Sequence, residues 1–147
     1  MTDRAASLQS ERNISPAAAG AAGLRVLLAE DDIVNQRLGC LLLERLGHRP
    51  VCVSDGLRAL ELLAAQPFDL VILDVEMPGL GGPDTAARIR SGTSGVRDPA
   101  IPILGLSGHG DGPERVRCLE AGMDGYLTKP LGVEGITRAL AEFFPKR

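Results

Sequence analysis

Two adjacent acids, Asp31 and Asp32, follow directly on a short apolar run, and a third, Asp74, stands at the end of another. Ser107 and Lys129 close two further runs of the same kind. Three carboxylates drawn into one pocket would repel one another and need a cation. Oxygen donors without His or Cys favour a hard ion, and Mg²⁺ accepts a few protein ligands while keeping several waters. A lysine facing such a cluster points to phosphate chemistry, since Mg²⁺ and Lys129 together would neutralise phosphoryl oxygens. A carboxylate can also be the nucleophile and form an aspartyl phosphate. The Ser107 hydroxyl could then donate to one phosphoryl oxygen.

Each residue also has a plain structural reading. An Asp-Asp pair before a helix serves as an N-cap, Asp74 and Ser107 suit turns, and Lys129 before Pro130 suits a solvated surface. Placement decides between these, and placement is set by the elements that carry the residues.

Leu24 to Ala29 is an apolar run that stops at acids, as a strand buried on both faces does. Val34, Leu38, Leu41, Leu42 and Leu46 form one stripe of a helix ending at Gly47. Residues 50–53 make a second strand, and Ser54 or Asp55 caps a helix over about 57–66 that Pro67 stops. Residues 69–73, rich in β-branched side chains, give a central strand that ends at Asp74. Pro83 opens a helix to about Arg90, and residues 91–100 read as a surface loop. A fourth strand over 101–106, a helix from Asp111 or Gly112 to Gly122, a fifth strand over 125–128 and a closing helix striped by Ile136, Leu140, Phe143 and Phe144 complete the pattern. Five strands alternating with five helices imply an α/β parallel sheet covered on both faces. In such sheets sites form beyond the carboxyl ends of the strands. Asp31, Asp32, Asp74, Ser107 and Lys129 all fall at that end, which the plain readings do not explain.

Bulk properties exclude several classes. At 147 residues the chain fits one domain, and residues 1–23, rich in Ala, Ser and Gly, read as a flexible tail or linker. A net charge of −3 offers no basic face for nucleic acid. No apolar run approaches the roughly 20 residues of a membrane span, and no secretory signal opens the chain, so a cytoplasmic location is expected. Cys40, Cys52 and Cys118 lack metal-ligand spacing and read as buried, reduced thiols.

Four segments, Leu27-Leu28-Ala29-Glu30-Asp31-Asp32, Leu73-Asp74-Val75-Glu76-Met77-Pro78, Leu106-Ser107-Gly108-His109 and Tyr126-Leu127-Thr128-Lys129-Pro130, resemble in order the motifs of the receiver domain of two-component response regulators. The resemblance covers about residues 24–144, so residues 24–147 are taken as the receiver domain. Val34-Asn35-Gln36 and the stretch from Cys118 to Pro130 are most similar to receivers attached to hybrid histidine kinases. The resemblance implies a flavodoxin-like doubly wound sheet of order 2-1-3-4-5. It implies Asp74 as phosphoacceptor, Asp32 as direct Mg²⁺ ligand, Asp31 as the acid that binds through water, and the Glu76 backbone carbonyl as the third protein ligand. Lys129 would pair with the phosphoryl group, Ser107 would move toward it, and the Tyr126 rotamer would follow. The partner implied is a histidine kinase or a histidine phosphotransfer protein. The altered face would be the one built by the fourth helix, fifth strand and fifth helix. On this reading the protein is a signalling phosphoacceptor of a phosphorelay, catalysing only its own phosphorylation and dephosphorylation. It would be a monomer or weak dimer without direct contact to nucleic acid or membrane.

Gly108 replaces the usual small Ala after the switch hydroxyl, with Gly110 and Gly112 nearby, which makes that loop costlier to order. Gly81-Gly82-Pro83 replaces the usual Asp-Gly pair. His109 matches a variable position beside the pocket rather than a phosphate donor, and His48 reads as structural. Two other readings compete. An aspartyl-phosphate phosphatase would place Asp, not Glu76, two residues after the nucleophile and leaves the first acid pair unexplained. A pseudo-receiver binding module that never takes phosphate would have no need of the full set of site residues.

Overall fold

The computed structural model of the chain describes residues 23–108 and 112–144. The expected tail up to residue 22, together with His109 and Asp111, lies outside the described residues. Five strands and five helices alternate: β1 (Arg25–Ala29), α1 (Ile33–Arg45), β2 (Arg49–Val53), α2 (Gly56–Ala65), β3 (Leu70–Asp74), α3 (Gly82–Ser91), β4 (Ile103–Ser107), α4 (Pro113–Glu120), β5 (Gly125–Thr128) and α5 (Val133–Phe143). The strands pair in parallel in the order β2-β1-β3-β4-β5, the flavodoxin-like arrangement expected.

The two-residue period of the strands divides the core into two layers. Leu27, Ala29, Val71 and Leu73 face Ala59, Leu60 and Leu63 of α2, Ala86 and Ile89 of α3, and Cys118 of α4. Their neighbours Val26, Leu28, Leu70, Ile72, Leu104 and Leu106 face Leu43 of α1 and Ile136, Ala139 and Leu140 of α5. Every residue of β3 and β4 is buried, the signature of interior strands.

Two expectations need correcting. The stripe read on α1 does not face the core as a whole: Val34, Leu38 and Leu41 are 62%, 54% and 46% exposed. The helix packs instead through Leu43 and Gly39, with Leu42 and Leu46 at the edge of the contact. Gly39 allows this close seat, because a Cβ there would fall 2.7 Å from Leu28 Cδ2. The second correction concerns the thiols. Cys40 on α1 and Cys52 on β2, with Cα atoms 6.7 Å apart, are joined as a disulfide, while Cys118 is free and buried. Burial raises the Cys118 thiol above its ordinary pKa and nearby Glu114 adds to the effect, so it stays a neutral apolar group.

His48 is structural. It is buried where α1 turns into β2, and its Nδ1 accepts the Leu24 N–H at 3.2 Å. Burial lowers its pKa, keeping the ring neutral and able to accept.

Candidate functional site

Beyond β1 the chain passes through three acids in succession, and their fates differ. Glu30 is fully buried. Asp31 is exposed at the mouth, and its carboxylate lies with those of Glu30 and Asp74 in a group whose oxygens are all within 4.8 Å of one another. Asp32 is the N-cap of α1: its carboxylate accepts the Val34 N–H at 2.9 Å and the Asn35 N–H at 3.1 Å. The structure therefore does not bring Asp32, expected as the direct ligand, into the group. Its oxygen is committed to the orphan donors of the helix start, and the acids that converge are Glu30, Asp31 and Asp74. The Asp32 N–H in turn donates to Glu30 Oε2 at 3.1 Å.

Sequence reasoning missed Gln36 as a brace for this loop. Its Nε2 donates to the carbonyls of Glu30 at 2.9 Å and Val53 at 3.0 Å, tying the ends of β1 and β2 to α1.

Asp74 is the last residue of β3 and 1% exposed. Its Oδ1 accepts the Glu76 N–H at 3.2 Å, and its Oδ2 accepts from Lys129 Nζ at 3.0 Å. Lys129 also pairs with the buried Glu30 Oε1 at 3.3 Å. One ammonium thus faces two buried carboxylates with Asp31 beside them. The imbalance appears in the ionisation of Asp74, which burial and then the hydrogen bond with Glu30 push up to about 7 despite Lys129. Burial disfavours the Lys129 charge, yet Asp74 and then Glu30 outweigh it and hold its pKa above the usual lysine value.

The backbone supports this placement. The Lys129 N–H donates to the Ser107 carbonyl at 2.6 Å, which locks the end of β5 to the end of β4. On the other side α3 begins hard against Asp74: a Cβ on Gly82 would fall 2.5 Å from the Asp74 carbonyl oxygen. A glycine is needed there, which gives Gly81-Gly82-Pro83 a packing reason. The Glu76 side chain is exposed.

Ser107, at the end of β4, is buried and its hydroxyl donates to the carboxylate of Glu114. The Tyr126 hydroxyl donates to the same Glu114 oxygen at 3.2 Å. Burial raises the Tyr126 pKa, a hydrogen bond with Ser107 works against the rise, and the Glu114 charge adds to it. Glu114 was not singled out from sequence. The available signal is its place in the first turn of α4, directly after Pro113, where an acid also complements the helix dipole.

Fold and site together define a doubly wound α/β protein whose strand ends hold a buried aspartate, two companion acids and a lysine. The chain belongs to the response regulator receiver domain family, which matches residues 26–141. It is 34% identical over 143 residues to the sensor histidine kinase GacS of Pseudomonas protegens, covering 97% of this chain and 15% of that protein. It is 39% identical over 136 residues to the sensor histidine kinase AruS of Pseudomonas aeruginosa, covering 92% of this chain and 13% of that protein. The chain thus spans about one seventh of the length of these relatives. Among solved structures it resembles the receiver domain of a sensor histidine kinase from Pseudomonas aeruginosa, with a TM-score of 0.74 and 33% identity over 84% of this chain and 98% of that one. That structure holds a magnesium ion coordinated in its active-site cleft. No described helix of the present chain is long and apolar enough to cross a membrane.

Proposed function

We propose that this chain is a phosphoacceptor in a histidine-to-aspartate phosphorelay, with Asp74 as the group that takes the phosphoryl. The observation that carries the proposal is the position of Asp74: buried at a strand end, 3.0 Å from Lys129 and grouped with two further carboxylates. The donor is the phosphohistidine of a histidine kinase or phosphotransfer protein in the cytoplasm, a reading supported by the likeness to sensor histidine kinases. An Asp74 carboxylate oxygen attacks phosphorus, the P–N bond of the donor breaks, and its electron pair returns to the imidazole nitrogen.

The residues present fit a divalent cation. The grouped side-chain donors are all carboxylate oxygens, and the one ammonium that Glu30 Oε1 and Asp74 Oδ2 share, at 3.3 and 3.0 Å, leaves three acids short of positive charge. Glu30, Asp31 and Asp74 would hold Mg²⁺, with the Glu76 carbonyl completing the protein ligands; when bound, the ion supplies charge neutralisation for the phosphoryl oxygens. Lys129 holds Asp74 in place and pairs with the incoming phosphoryl group, and Ser107 donates to one of its oxygens. Tyr126 follows Ser107, and the face of α4, β5 and α5 carries the change to a partner.

Incubation of the chain with Mg²⁺ and acetyl phosphate tests the assignment by intact mass. The wild type is expected to gain one phosphoryl group and Asp74→Asn none. An Asp74→Asn variant that still gained the label would overturn it.

A further inference from the structure

We propose that Glu114 is a built-in rival anion: it competes with the phosphoryl group on Asp74 for the Ser107 hydroxyl and thereby sets how readily the protein switches. The inference rests on the phosphoacceptor reading above and adds to it a residue outside the expected set.

An ionised carboxylate only accepts, so in both contacts Glu114 is the acceptor and the hydroxyls are the donors. Ser107 gives its proton to Glu114, and Tyr126 gives its proton to the same oxygen at 3.2 Å. A serine hydroxyl has one proton to give. Ser107 can therefore serve Glu114 or a phosphoryl oxygen on Asp74, but not both at once. β3 and β4 pair Asp74 with Leu106, so Ser107 sits one residue further along, at the end of the sheet where the phosphoryl arrives. Glu114 lies on the other side, in the first turn of α4, and ties both hydroxyls to that helix. Ser107 is 2% exposed, so its bond to the carboxylate is little weakened by water. Phosphorylation then has to detach Ser107 from α4, and Tyr126 loses the partner with which it shared the carboxylate. The same exchange connects the acceptor to α4 and β5.

A bland electrostatic alternative exists: removing any negative charge near the site would help an anion bind. It differs in one respect. A through-space charge effect does not need the Ser107 hydroxyl, whereas competition for its proton vanishes without it.

Tyr126 is the one tyrosine in a chain with no tryptophan, so its fluorescence reports on this corner of the molecule. The experiment titrates beryllofluoride, a phosphoryl mimic, into the full chain with Mg²⁺, using the wild type, Glu114→Gln, Ser107→Ala and the double variant. Competition predicts that Glu114→Gln, which keeps the side-chain shape but leaves only a neutral and weaker acceptor for the Ser107 proton, binds beryllofluoride roughly tenfold more tightly, the low end of what a hydrogen bond to a charged group contributes. In the Ser107→Ala background the same substitution is expected to change affinity by less than about twofold. An unchanged or weaker affinity in Glu114→Gln overturns the rival-anion proposal, and so does a tenfold gain that persists without Ser107. A wild type that ignores beryllofluoride in Mg²⁺ overturns the phosphoacceptor reading itself, and the competition with it.

Discussion

At the scale of single residues, the folded state carries a cost at Asp74. Its carboxyl is buried beside another acid and its pKa is pushed from 3.8 up to about 7. A raised pKa means that the folded state binds its proton more tightly than the unfolded chain. The resulting contribution to stability is fully present below the unfolded pKa and is lost as pH rises through about 7. Asp74→Asn removes the charge and keeps the shape. In EDTA at about pH 8 it is expected to be more stable than the wild type by about 4 kcal/mol in urea denaturation, with the gain gone near pH 4. A variant less stable than the wild type at the higher pH would contradict the burial argument. The place of Asp74 was legible from sequence, because a lone acid ending a β-branched run can be placed without knowing side-chain directions. The acids after β1 were harder. Glu30, Asp31 and Asp32 are consecutive, and which of them enter the pocket depends on where the strand yields to the N-cap. A shift of one residue exchanged a capping oxygen for one at the site.

Between elements, the main fastening away from the site is Arg90 in the last turn of α3. Its guanidinium donates to the carbonyls of Gly122 at 2.9 Å and of Pro99 and Ile101 at 2.7 Å, and to Asp124 Oδ2 at 2.7 Å. The same Asp124 oxygen takes the Ile103 N–H at 2.8 Å. One side chain thus joins α3 to the segments entering β4 and β5, at the opposite end of the sheet from Asp74. Arg90→Ala leaves three carbonyls without the guanidinium and Asp124 with the Ile103 N–H alone, and is expected to cost about 3 kcal/mol in urea denaturation. Arg90→Lys should recover little, since an ammonium cannot reproduce the planar fork. A loss below about 0.5 kcal/mol, the level of an ordinary surface substitution, would contradict this role. None of it was visible in sequence. Residues 91–100 read only as a surface loop, because Arg90 and Asp124, 34 positions apart, leave no periodic trace. The cysteine pair escaped for a related reason, its partners lying on a helix and the following strand. The α1 stripe misled because an apolar period marks a face without saying what covers it.

The strand order was the most legible feature of the whole molecule: alternating elements and right-handed crossovers leave few ways to arrange five parallel strands. That order makes ligand binding and global stability one problem, because β1 and β3 adjoin in the sheet and all three converging acids stand at their carboxyl ends. A cation that binds only the folded chain stabilises it by RT ln(1 + [L]/Kd), about 1.4 kcal/mol at tenfold excess over Kd. Calorimetric melting should therefore shift upward as Mg²⁺ is added. The size of the shift should depend on pH in a definite sense. With Asp74 at about 7, the cation must displace a proton at about pH 6 but not at about pH 8, so the stabilisation at fixed Mg²⁺ is smaller on the acid side. Asp74→Asn and Asp31→Asn each remove a carboxylate from the converging group and should lose most of the Mg²⁺ increment. Asp32→Asn keeps an oxygen that can cap α1, so it should retain both its stability and most of the increment. If Asp32→Asn were instead as unresponsive to Mg²⁺ as Asp31→Asn, the assignment of Asp32 to the helix cap rather than to the ion would be wrong, even though the fold that carries both residues would stand.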